Sequence, residues 1–325
     1  MKLATYKAAS GPRIAAVHGK DDKLFDLAAA AERDGKAEPA FRSMLDLMEG
    51  GAAALDRARA LLSKRQGEAD LSIAITPGIL LAPVPVPRSM RDFSSFPEHL
   101  KNAGRGMRKL VAKMRNEPPP QLPPVAEIPE QFRKRPQFYK GNVLTVVGTD
   151  ADVRYPKYSK YLDYELECGV FIGKRGVDIP KNKVAEHIFG YALFNDFSAR
   201  DEQSFDMAGG FGPGKGKDFD TGNAIGPWIV TADELTEPYK RRATAKVNGE
   251  IWTDTNMSDG IYTFADLISF ISGDVTLHPG EFIAAGTMSN GCGMEHDRYL
   301  KPGDTVELWM DGIGTLRNKL VGAKA

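Results

Sequence analysis

The sequence has few cysteines and histidines and no long hydrophobic run. Only two cysteines, Cys168 and Cys292, occur in 325 residues, far apart and outside any Cys-x-x-Cys or Cys/His spacing. Their positions argue against a zinc site and against a disulfide framework, so we expect reduced thiols. No stretch of about 18 uninterrupted apolar residues occurs, and the first residues, Met-Lys-Leu-Ala-Thr-Tyr-Lys, lack an apolar signal region. We therefore expect a cytoplasmic protein with no membrane partner.

The sequence also lacks an excess of charge of either sign. Its 43 Lys and Arg residues equal its 43 Asp and Glu residues, and no long block of like charge appears. Nucleic acids and anionic membranes are bound through clustered positive charge, so neither is expected as a partner. An enzyme that acts on a small molecule is the default expectation for this composition.

The length predicts one large domain and one small domain. We expect a small N-terminal α+β domain at 1–80 and a catalytic domain at 81–325. Strand patterns at 2–7 and 13–18 predict an opening hairpin, and apolar spacing over 39–64 predicts two amphipathic helices broken at Gly50-Gly51. The boundary is placed where prolines punctuate the chain, at Pro77, Pro83, Pro85 and Pro87.

The second part of the chain is predicted to be β-rich. A helix is expected over 97–115, because Pro97 and Glu98 stand near its start and basic residues follow. A proline-rich loop at 117–129 comes next, and shorter helices are expected at 183–189 and 263–271. Strand-like runs lie at 143–147, 164–172, 190–194, 226–231, 243–247, 281–285 and 305–310. The predicted fold class is therefore a β-rich mixed α+β protein.

Four acidic residues suggest a metal site, namely Asp92, Glu165, Glu167 and Asp196. Glu165 and Glu167 are two residues apart ahead of an apolar run, so on a strand both carboxylates point to one side. Carboxylates about 5 Å apart repel by roughly 3 kcal/mol at an effective dielectric of about 20, so three or four in a buried pocket need a cation or protonation. Oxygen ligands favour Mg²⁺, Mn²⁺ or Ca²⁺. The alternatives are a solvated strand face for the glutamates and a turn at Asp196.

Two further residues are candidates for the chemistry. His99 follows Asp92 by seven residues, in the first turn of the predicted helix, and is the candidate general base. The glycine-rich segment 209–217 opens like a phosphate-binding loop, but Gly216 stands where the magnesium-binding hydroxyl belongs, so we reject that motif. A loop that delivers Lys217 to an anionic substrate is the functional interpretation. An exposed helix-face histidine and a plain surface loop are the alternatives.

Five strings of residues together resemble the fumarylacetoacetate hydrolase (FAH) superfamily, in its fumarylacetoacetase-like branch. They are Asp-Tyr-Glu-Leu-Glu (163–167), Asn-Asp-Phe-Ser-Ala-Arg-Asp (195–201), Gly-Lys-Asp-Phe-Asp-Thr (216–221), Leu-Lys-Pro-Gly-Asp (300–304) and Gly-Ile-Gly-Thr-Leu-Arg-Asn (312–318). The resemblance covers residues 82–325 and is weaker in the N-terminal strands. It implies an FAH-like mixed β-roll catalytic domain, a homodimer and a place in the catabolism of aromatic compounds.

The resemblance also implies roles for individual residues. The metal, Mg²⁺ or Ca²⁺ with Mn²⁺ as a further choice, would be held by Asp92, Glu165, Glu167 and Asp196. The implied catalytic residues are His99, which activates water, Glu295, which orients His99, and Lys217 and Gln203, which cover an oxyanion. The implied substrate contacts are Arg108, Tyr139, Arg200 and Thr287. The chain departs from the fumarylacetoacetase pattern at Ser94, where a substrate-contacting tyrosine is expected.

The predicted reaction is hydrolysis of a carbon–carbon bond in a β-diketo acid of the fumarylacetoacetate or acylpyruvate type. A hard divalent ion stabilises the enolate that leaves, and a base takes a proton from the attacking water. The same enolate chemistry serves a decarboxylase, a dehydratase or an isomerase of a 2-keto acid, so these are the alternatives. A catalytically silent binding protein on the same scaffold is the alternative outside enzymes.

Overall fold

The computed structural model describes residues 1–122 and 127–322. Seven α-helices occur in these residues: α1 (Leu27–Arg33), α2 (Met44–Arg65), α3 (Pro97–Met114), α4 (Glu130–Lys134), α5 (Arg200–Ala208), α6 (Gly214–Lys217) and α7 (Phe264–Ile271). The strands are β1 (Lys2–Ala8), β2 (Gly11–His18), β3 (Lys23–Asp26), β4 (Ser72–Ala74), β5 (Leu80–Leu81), β6 (Met90–Phe93), β7 (Phe138–Lys140), β8 (Val146–Val147), β9 (Asp152–Arg154), β10 (Leu162–Asp163), β11 (Leu166–Ile172), β12 (Ile188–Asp196), β13 (Ser198–Ala199), β14 (Asn223–Thr231), β15 (Ala243–Val247), β16 (Glu250–Thr255), β17 (Phe282–Ala284), β18 (Thr305–Met310) and β19 (Gly314–Val321).

A large twelve-stranded sheet organises the molecule. Its strands run in the order β4-β3-β2-β1-β14-β12-β11-β17-β6-β7, with β5 beside β1 and β8 beside β14. The N-terminal hairpin joins this sheet directly, because β1 pairs antiparallel with β14. The predicted boundary between 80 and 81 therefore does not coincide with a break in the sheet, and the two-domain division stays a prediction.

A second sheet and the N-terminal helices cover the two faces of the large sheet. The second sheet has the order β16-β15-β18-β19-β9. Its residues Leu308 and Leu316 pack in one hydrophobic core with Cys168 of β11, whereas Leu47 of α2 packs in the other core with Phe171 of β11. Residues of β11 thus alternate between the two cores, as the period of a strand requires. The prediction of a β-rich mixed α+β class is confirmed.

Most predicted elements are present, with two informative differences. Helix α2 contains the expected break, because Gly51 has a φ of 59°, a positive value outside the range of an α-helix. Helix α7 begins with a capping box made by Thr263 and Asp266. The helix predicted at 183–189 is instead a 3₁₀ helix at Lys181–His187. The strand predicted at 143–147 begins as a 3₁₀ helix, Val143–Thr145, and only Val146–Val147 is a strand. The predicted proline-rich loop at 117–129 falls partly on residues 123–126, which lie outside the described residues.

The strands of the large sheet bring the acidic residues together. Asp92 lies on β6, Glu167 near the start of β11 and Asp196 at the end of β12. These strands are neighbours or near neighbours in the order β12-β11-β17-β6.

Among the residues that the structure describes, no helix combines the length and the apolar character that a membrane crossing needs.

Candidate active site

Three of the predicted acidic residues form one compact, buried cluster. Ligand oxygens of Asp92, Glu167 and Asp196 lie within 4.8 Å of one another, and all three side chains are buried. The three residues are far apart in sequence, so only the pairing of the strands creates this arrangement. We call these residues the acidic triad.

Each member of the acidic triad keeps one buried oxygen without a hydrogen-bond partner. The unpaired atoms are Asp92 Oδ1, Glu167 Oε2 and Asp196 Oδ1, which accept no hydrogen bond from the described residues. A buried carboxylate oxygen with no donor is costly, so these three atoms require a cation or protons. Three converging carboxylate oxygens are a donor set for a hard divalent ion such as Mg²⁺ or Ca²⁺. The residues present therefore fit the divalent metal that the sequence predicts.

The remaining oxygens of Glu167 and Asp196 accept hydrogen bonds from neighbouring side chains. The Thr287 hydroxyl donates to Glu167 Oε1 at 3.1 Å, and the Tyr139 hydroxyl donates to Asp196 Oδ2 at 2.6 Å. Burial and the negative charges of Asp196 and Asp92 raise the pKa of Tyr139 well above its usual range, so it remains a neutral donor. These bonds hold the Glu167 and Asp196 carboxylates in place.

Burial and mutual repulsion raise the pKa values of the triad. Burial followed by the charge of Asp196 raises the pKa of Asp92 well above its ordinary value, and burial followed by the charge of Asp92 does the same for Glu167. The pKa of Asp196 is raised by burial, although Lys217 opposes the shift. A divalent cation would reverse these shifts by favouring the charged carboxylates.

Glu165 lies beside the triad but has cationic partners of its own. Its carboxylate forms an ion pair with Arg200 at 2.8 Å and another with Lys217. Burial opposes ionisation, yet the charges of Lys217 and Arg200 outweigh it and hold the pKa of Glu165 well below its usual range. The Glu165 backbone N–H donates to Asn195 Oδ1 at 3.0 Å, which anchors the chain just before β11. Its predicted role as a metal ligand stays a prediction.

Lys217 is the buried cation that links the glycine-rich segment to the acidic residues. It ends α6, and its ammonium contacts Glu165, Asp196 and the ring of Tyr139, whose centroid is 5.9 Å away. The attraction of Asp196 and Glu165 outweighs burial and raises the pKa of Lys217 above its usual range. The segment therefore places Lys217 in the site, although α6 is only one turn long.

His99 and Glu295 form a second polar pair next to these residues. His99 Nδ1 lies 2.8 Å from Glu295 Oε1, and the Asn290 backbone N–H donates to Glu295 Oε2 at 3.0 Å. Glu165 forms an isolated β-bridge with Cys292, whose Sγ lies 3.5 Å from Glu295 Oε1, so the pair lies next to the acidic residues. Glu295 lies on a 3₁₀ turn, Gly293–His296.

A glycine allows α3 to carry His99 this close to Glu295. A Cβ built on Gly106 would lie 2.5 Å from the Met294 backbone oxygen, which is closer than real side chains approach a backbone atom. Any larger residue at 106 would therefore push α3 away from the turn that holds Glu295.

The predicted substrate contacts have different surroundings. Arg200 is buried, and its guanidinium is engaged by Asp163, Glu165 and Gln203 Oε1. Arg108 is exposed. It follows His99 by nine residues, about two and a half helical turns, so α3 directs the two side chains to opposite sides. Substrate contacts by these two arginines stay predictions, while Tyr139 and Thr287 lie against the triad.

Asp163 is a residue of the site that the sequence reasoning did not identify. It is buried, it pairs with Arg200, and it accepts hydrogen bonds from the backbone N–H groups of Gly293 and Met294. It thus connects the arginine that holds Glu165 to the turn that holds Glu295. Its place in Asp-Tyr-Glu-Leu-Glu, two residues before Glu165, was the available sign.

Comparison with known protein families shows to which of them this chain belongs. The model for the C-terminal domain of fumarylacetoacetate (FAA) hydrolase matches residues 90–321. The chain belongs to the fumarylacetoacetate hydrolase family. The resemblance expected from the sequence is confirmed, and the match contains the acidic triad, His99 and Glu295.

Relatives of this family member include enzymes with different activities. Oxaloacetate tautomerase YisK of Bacillus subtilis is 29% identical over 306 residues, which is 92% of this chain and 93% of that protein. An uncharacterised Staphylococcus aureus protein is 42% identical over 174 residues, 53% of this chain and 57% of that protein. The solved fumarylacetoacetate hydrolase of Exiguobacterium antarcticum is 24% identical with a TM-score of 0.71, and the alignment covers both chains fully. This structural likeness confirms the FAH-like fold.

Proposed function

We propose that this protein is a divalent-metal-dependent hydrolase that cleaves a carbon–carbon bond in a β-diketo acid of the acylpyruvate or fumarylacetoacetate type. The observation that carries the proposal is the His99–Glu295 pair beside the acidic triad. A general base held by a carboxylate is what the activation of water requires. A protein that only bound a metal would have no use for it.

The acidic triad would hold the metal ion through its unpaired oxygens. When bound, the ion supplies positive charge that stabilises the enolate formed as the carbon–carbon bond breaks. Thr287 and Tyr139 keep the carboxylates in place by donating to their other oxygens. These donors make the site rigid before substrate arrives, which limits the cost of reorganisation.

His99 acts as the base through its second ring nitrogen. The Glu295 carboxylate only accepts hydrogen bonds, so His99 Nδ1 carries the proton that spans the 2.8 Å to Glu295 Oε1. Nε2 is then the unprotonated nitrogen that accepts a proton from water. Glu295 stabilises the imidazolium that results, while the Asn290 amide keeps the carboxylate oriented.

Lys217 and Gln203 supply donors for the oxygen that becomes negative when water attacks. Gln203 is half-buried on α5, and its Oε1 is taken by Arg200, which leaves its amide group free to donate. Arg200 itself serves by holding Glu165 and Asp163. The substrate is expected to be an anionic keto acid, since the buried Lys217 lies in the site and the acidic triad would add a divalent cation.

A second candidate is the tautomerisation or isomerisation of a 2-keto acid. It is favoured by the oxaloacetate tautomerase relative, whose alignment spans 92% of this chain. Proton transfer next to a ketone needs the same base and the same stabilised enolate but no attacking water. The two candidates therefore differ in the product rather than in the residues.

A substrate panel distinguishes the candidates. Acylpyruvates, oxaloacetate and 2-keto-3-deoxy acids are each incubated with the protein in Mg²⁺ and again after chelation. Chromatography of the products then separates cleavage from isomerisation. The hydrolase proposal expects two acids from an acylpyruvate, in Mg²⁺ only. Enol–keto exchange of oxaloacetate without cleavage of any β-diketo acid would replace it by the second candidate.

We also propose that the protein forms a homodimer. Phe205, Met207 and Phe211 are exposed apolar side chains within one short segment, and burial of them by a second copy would favour a dimer. Gel filtration with light scattering measures the mass in solution, and a mass of one chain would contradict the proposal.

A further inference from the structure

A second group of metal donors lies beside the proposed base. The donor atoms of His99, Cys292 and Glu295 lie within 4.8 Å of one another. They combine an imidazole nitrogen, a sulfur and one carboxylate oxygen, whereas the acidic triad offers oxygen alone. Nitrogen and sulfur donors select zinc-like ions over Mg²⁺ and Ca²⁺. The two groups therefore differ in the kind of ion that each prefers.

Glu295 Oε1 is the atom on which the other two donors converge. It lies 2.8 Å from His99 Nδ1 and 3.5 Å from Cys292 Sγ. The second oxygen, Oε2, accepts from the Asn290 amide, so Oε1 is held in place facing both partners. A ligand oriented in this way by a backbone donor is typical of protein metal sites.

The two distances to Glu295 Oε1 suit a tetrahedral ion after one small movement, and the third, from the His99 nitrogen to Cys292 Sγ, is within 4.8 Å. With bonds of about 2.3 Å to sulfur and about 2.1 Å to oxygen, a tetrahedral Zn²⁺ separates these ligands by about 3.6 Å. The Sγ to Oε1 distance of 3.5 Å matches this edge. The nitrogen-to-oxygen edge is about 3.4 Å, so the His99 ring must move by about 0.6 Å. His99 lies in the first turn of α3 and is partly exposed, which permits that shift.

We infer that His99, Cys292 and Glu295 form an inhibitory site for Zn²⁺ or a similar thiophilic divalent ion, separate from the acidic triad. Three protein ligands leave the fourth tetrahedral position for water. Binding replaces the thiol hydrogen of Cys292 by a sulfur–metal bond and releases that proton to solvent. The ion also binds His99 Nδ1 and Glu295 Oε1, and the proton displaced from Nδ1 moves to Nε2, so Nε2 can no longer accept a proton from water. The fold thus creates a site that the spacing of Cys292 in the sequence argues against.

Cobalt provides a direct readout of the sulfur ligand. The protein, saturated with Mg²⁺, is titrated with Co²⁺, and the thiolate-to-cobalt charge-transfer absorption in the near ultraviolet is followed. One equivalent is expected to bind with this band. Cys292→Ser removes the band, His99→Ala weakens cobalt binding at least about tenfold, and Cys168→Ala, which changes the other buried cysteine, retains both. A wild-type protein without the band, or a band that persists in Cys292→Ser, overturns the inference.

The inhibition itself rests on the proposed function and is measured separately. Zn²⁺ added at saturating Mg²⁺ is expected to stop turnover, and Cys292→Ser is expected to need at least about tenfold more zinc for the same loss. If the cobalt band forms but no substrate of the panel is turned over, the proposed function fails while the site stands. If turnover is found and zinc inhibits Cys292→Ser as strongly as the wild type, the inhibitory site is refuted.

Discussion

Neutralising one member of the acidic triad is expected to have opposite effects on the metal-free and the metal-loaded protein. Asp92→Asn keeps the shape of the side chain and removes its charge. Carboxylates within 4.8 Å of one another repel by about 3.5 kcal/mol at an effective dielectric of about 20. Asp92 takes part in two such pairs. Removing its charge therefore relieves repulsion that the metal-free protein otherwise carries.

The measured gain is smaller than the sum of both pairs. The raised pKa values of the triad mean that bound protons already relieve part of the repulsion. Lys217 offsets a further part at Asp196. We expect Asp92→Asn to stabilise the metal-free protein by about 1–3 kcal/mol, which is several degrees in the melting temperature for a chain of this size.

The metal-loaded protein is expected to respond in the other direction. Mg²⁺ at about 100 times its dissociation constant stabilises a protein by about 2.7 kcal/mol. Asp92→Asn removes one of the three unpaired oxygens that would bind the ion, so this stabilisation should be lost. The variant would thus melt higher than the wild type in chelator and show little further rise in Mg²⁺.

Thermal melts of both proteins in EDTA and in Mg²⁺ test this reasoning. Asp56→Asn is the matched control, because Asp56 is a largely exposed carboxylate on α2, and its removal should change neither melt appreciably. The reasoning is refuted if Asp92→Asn melts lower than the wild type in EDTA and keeps the full rise on addition of Mg²⁺.

Three further predictions concern the base, the helix that carries it and the pH dependence of stability. His99→Ala should lower turnover by about 10²–10⁴-fold and keep the Mg²⁺-induced rise in melting temperature. The control is His296→Ala, which changes an exposed histidine of the 3₁₀ turn that holds Glu295 and should retain turnover. An unchanged rate in His99→Ala would remove His99 from the mechanism. Gly106→Ala should lower both stability and turnover, since its Cβ meets the Met294 backbone oxygen, and Gly104→Ala, which meets no atom within 4 Å, is the control; equal effects of the two changes would contradict the packing argument. In EDTA, the free energy of unfolding should fall as the pH rises from about 4 through the raised pKa values of the triad, because the folded state binds more protons than the unfolded one. Mg²⁺ should abolish this fall. A free energy of unfolding that rises in EDTA over the same pH range would contradict the pKa shifts.

The sequence predicts local structure well where the pattern is local. The Gly50-Gly51 break, α7 and the alternation of β11 follow from spacing and from conformational preference. The pairing of β1 with β14 joins residues such as Lys2 and Val230, and no local pattern encodes it. The helical spacing at 183–189 combines Val184 with Ile188, but Ile188 begins β12, so only the 3₁₀ helix Lys181–His187 forms before it.

The candidate site shows the same division. Most of the polar side chains that meet in the site were predicted from residue type and from the resemblance to the family. Spacing alone could not show that Arg200 is already engaged by Asp163 and Glu165, because those contacts join β10, the start of β11 and α5. It also could not show that Cys292 lies 3.5 Å from Glu295 Oε1.

Glu165 and Glu167 have opposite pKa shifts although they are two residues apart. The Glu165 pKa is lowered because Lys217 and Arg200 outweigh burial, whereas burial and the charge of Asp92 raise that of Glu167. A cation near the triad therefore gains more from Glu167, whose Oε2 has no partner, than from Glu165, whose charge is already balanced. An ion that bound Glu165 would have to compete with two existing ion pairs.

Calorimetric titration of Glu165→Gln and Glu167→Gln with Mg²⁺ measures this difference. Glu167→Gln should reduce the affinity by at least tenfold, about 1.4 kcal/mol, because it deletes an oxygen anion that faces the ion. Glu165→Gln should reduce the affinity less, because two ion pairs already balance the charge of Glu165. The smaller loss that remains arises because Lys217 loses one partner and its ammonium turns more fully toward Asp196. A larger loss in Glu165→Gln would show that the ion displaces Lys217 and Arg200 from Glu165, and that all four acidic residues then bind it.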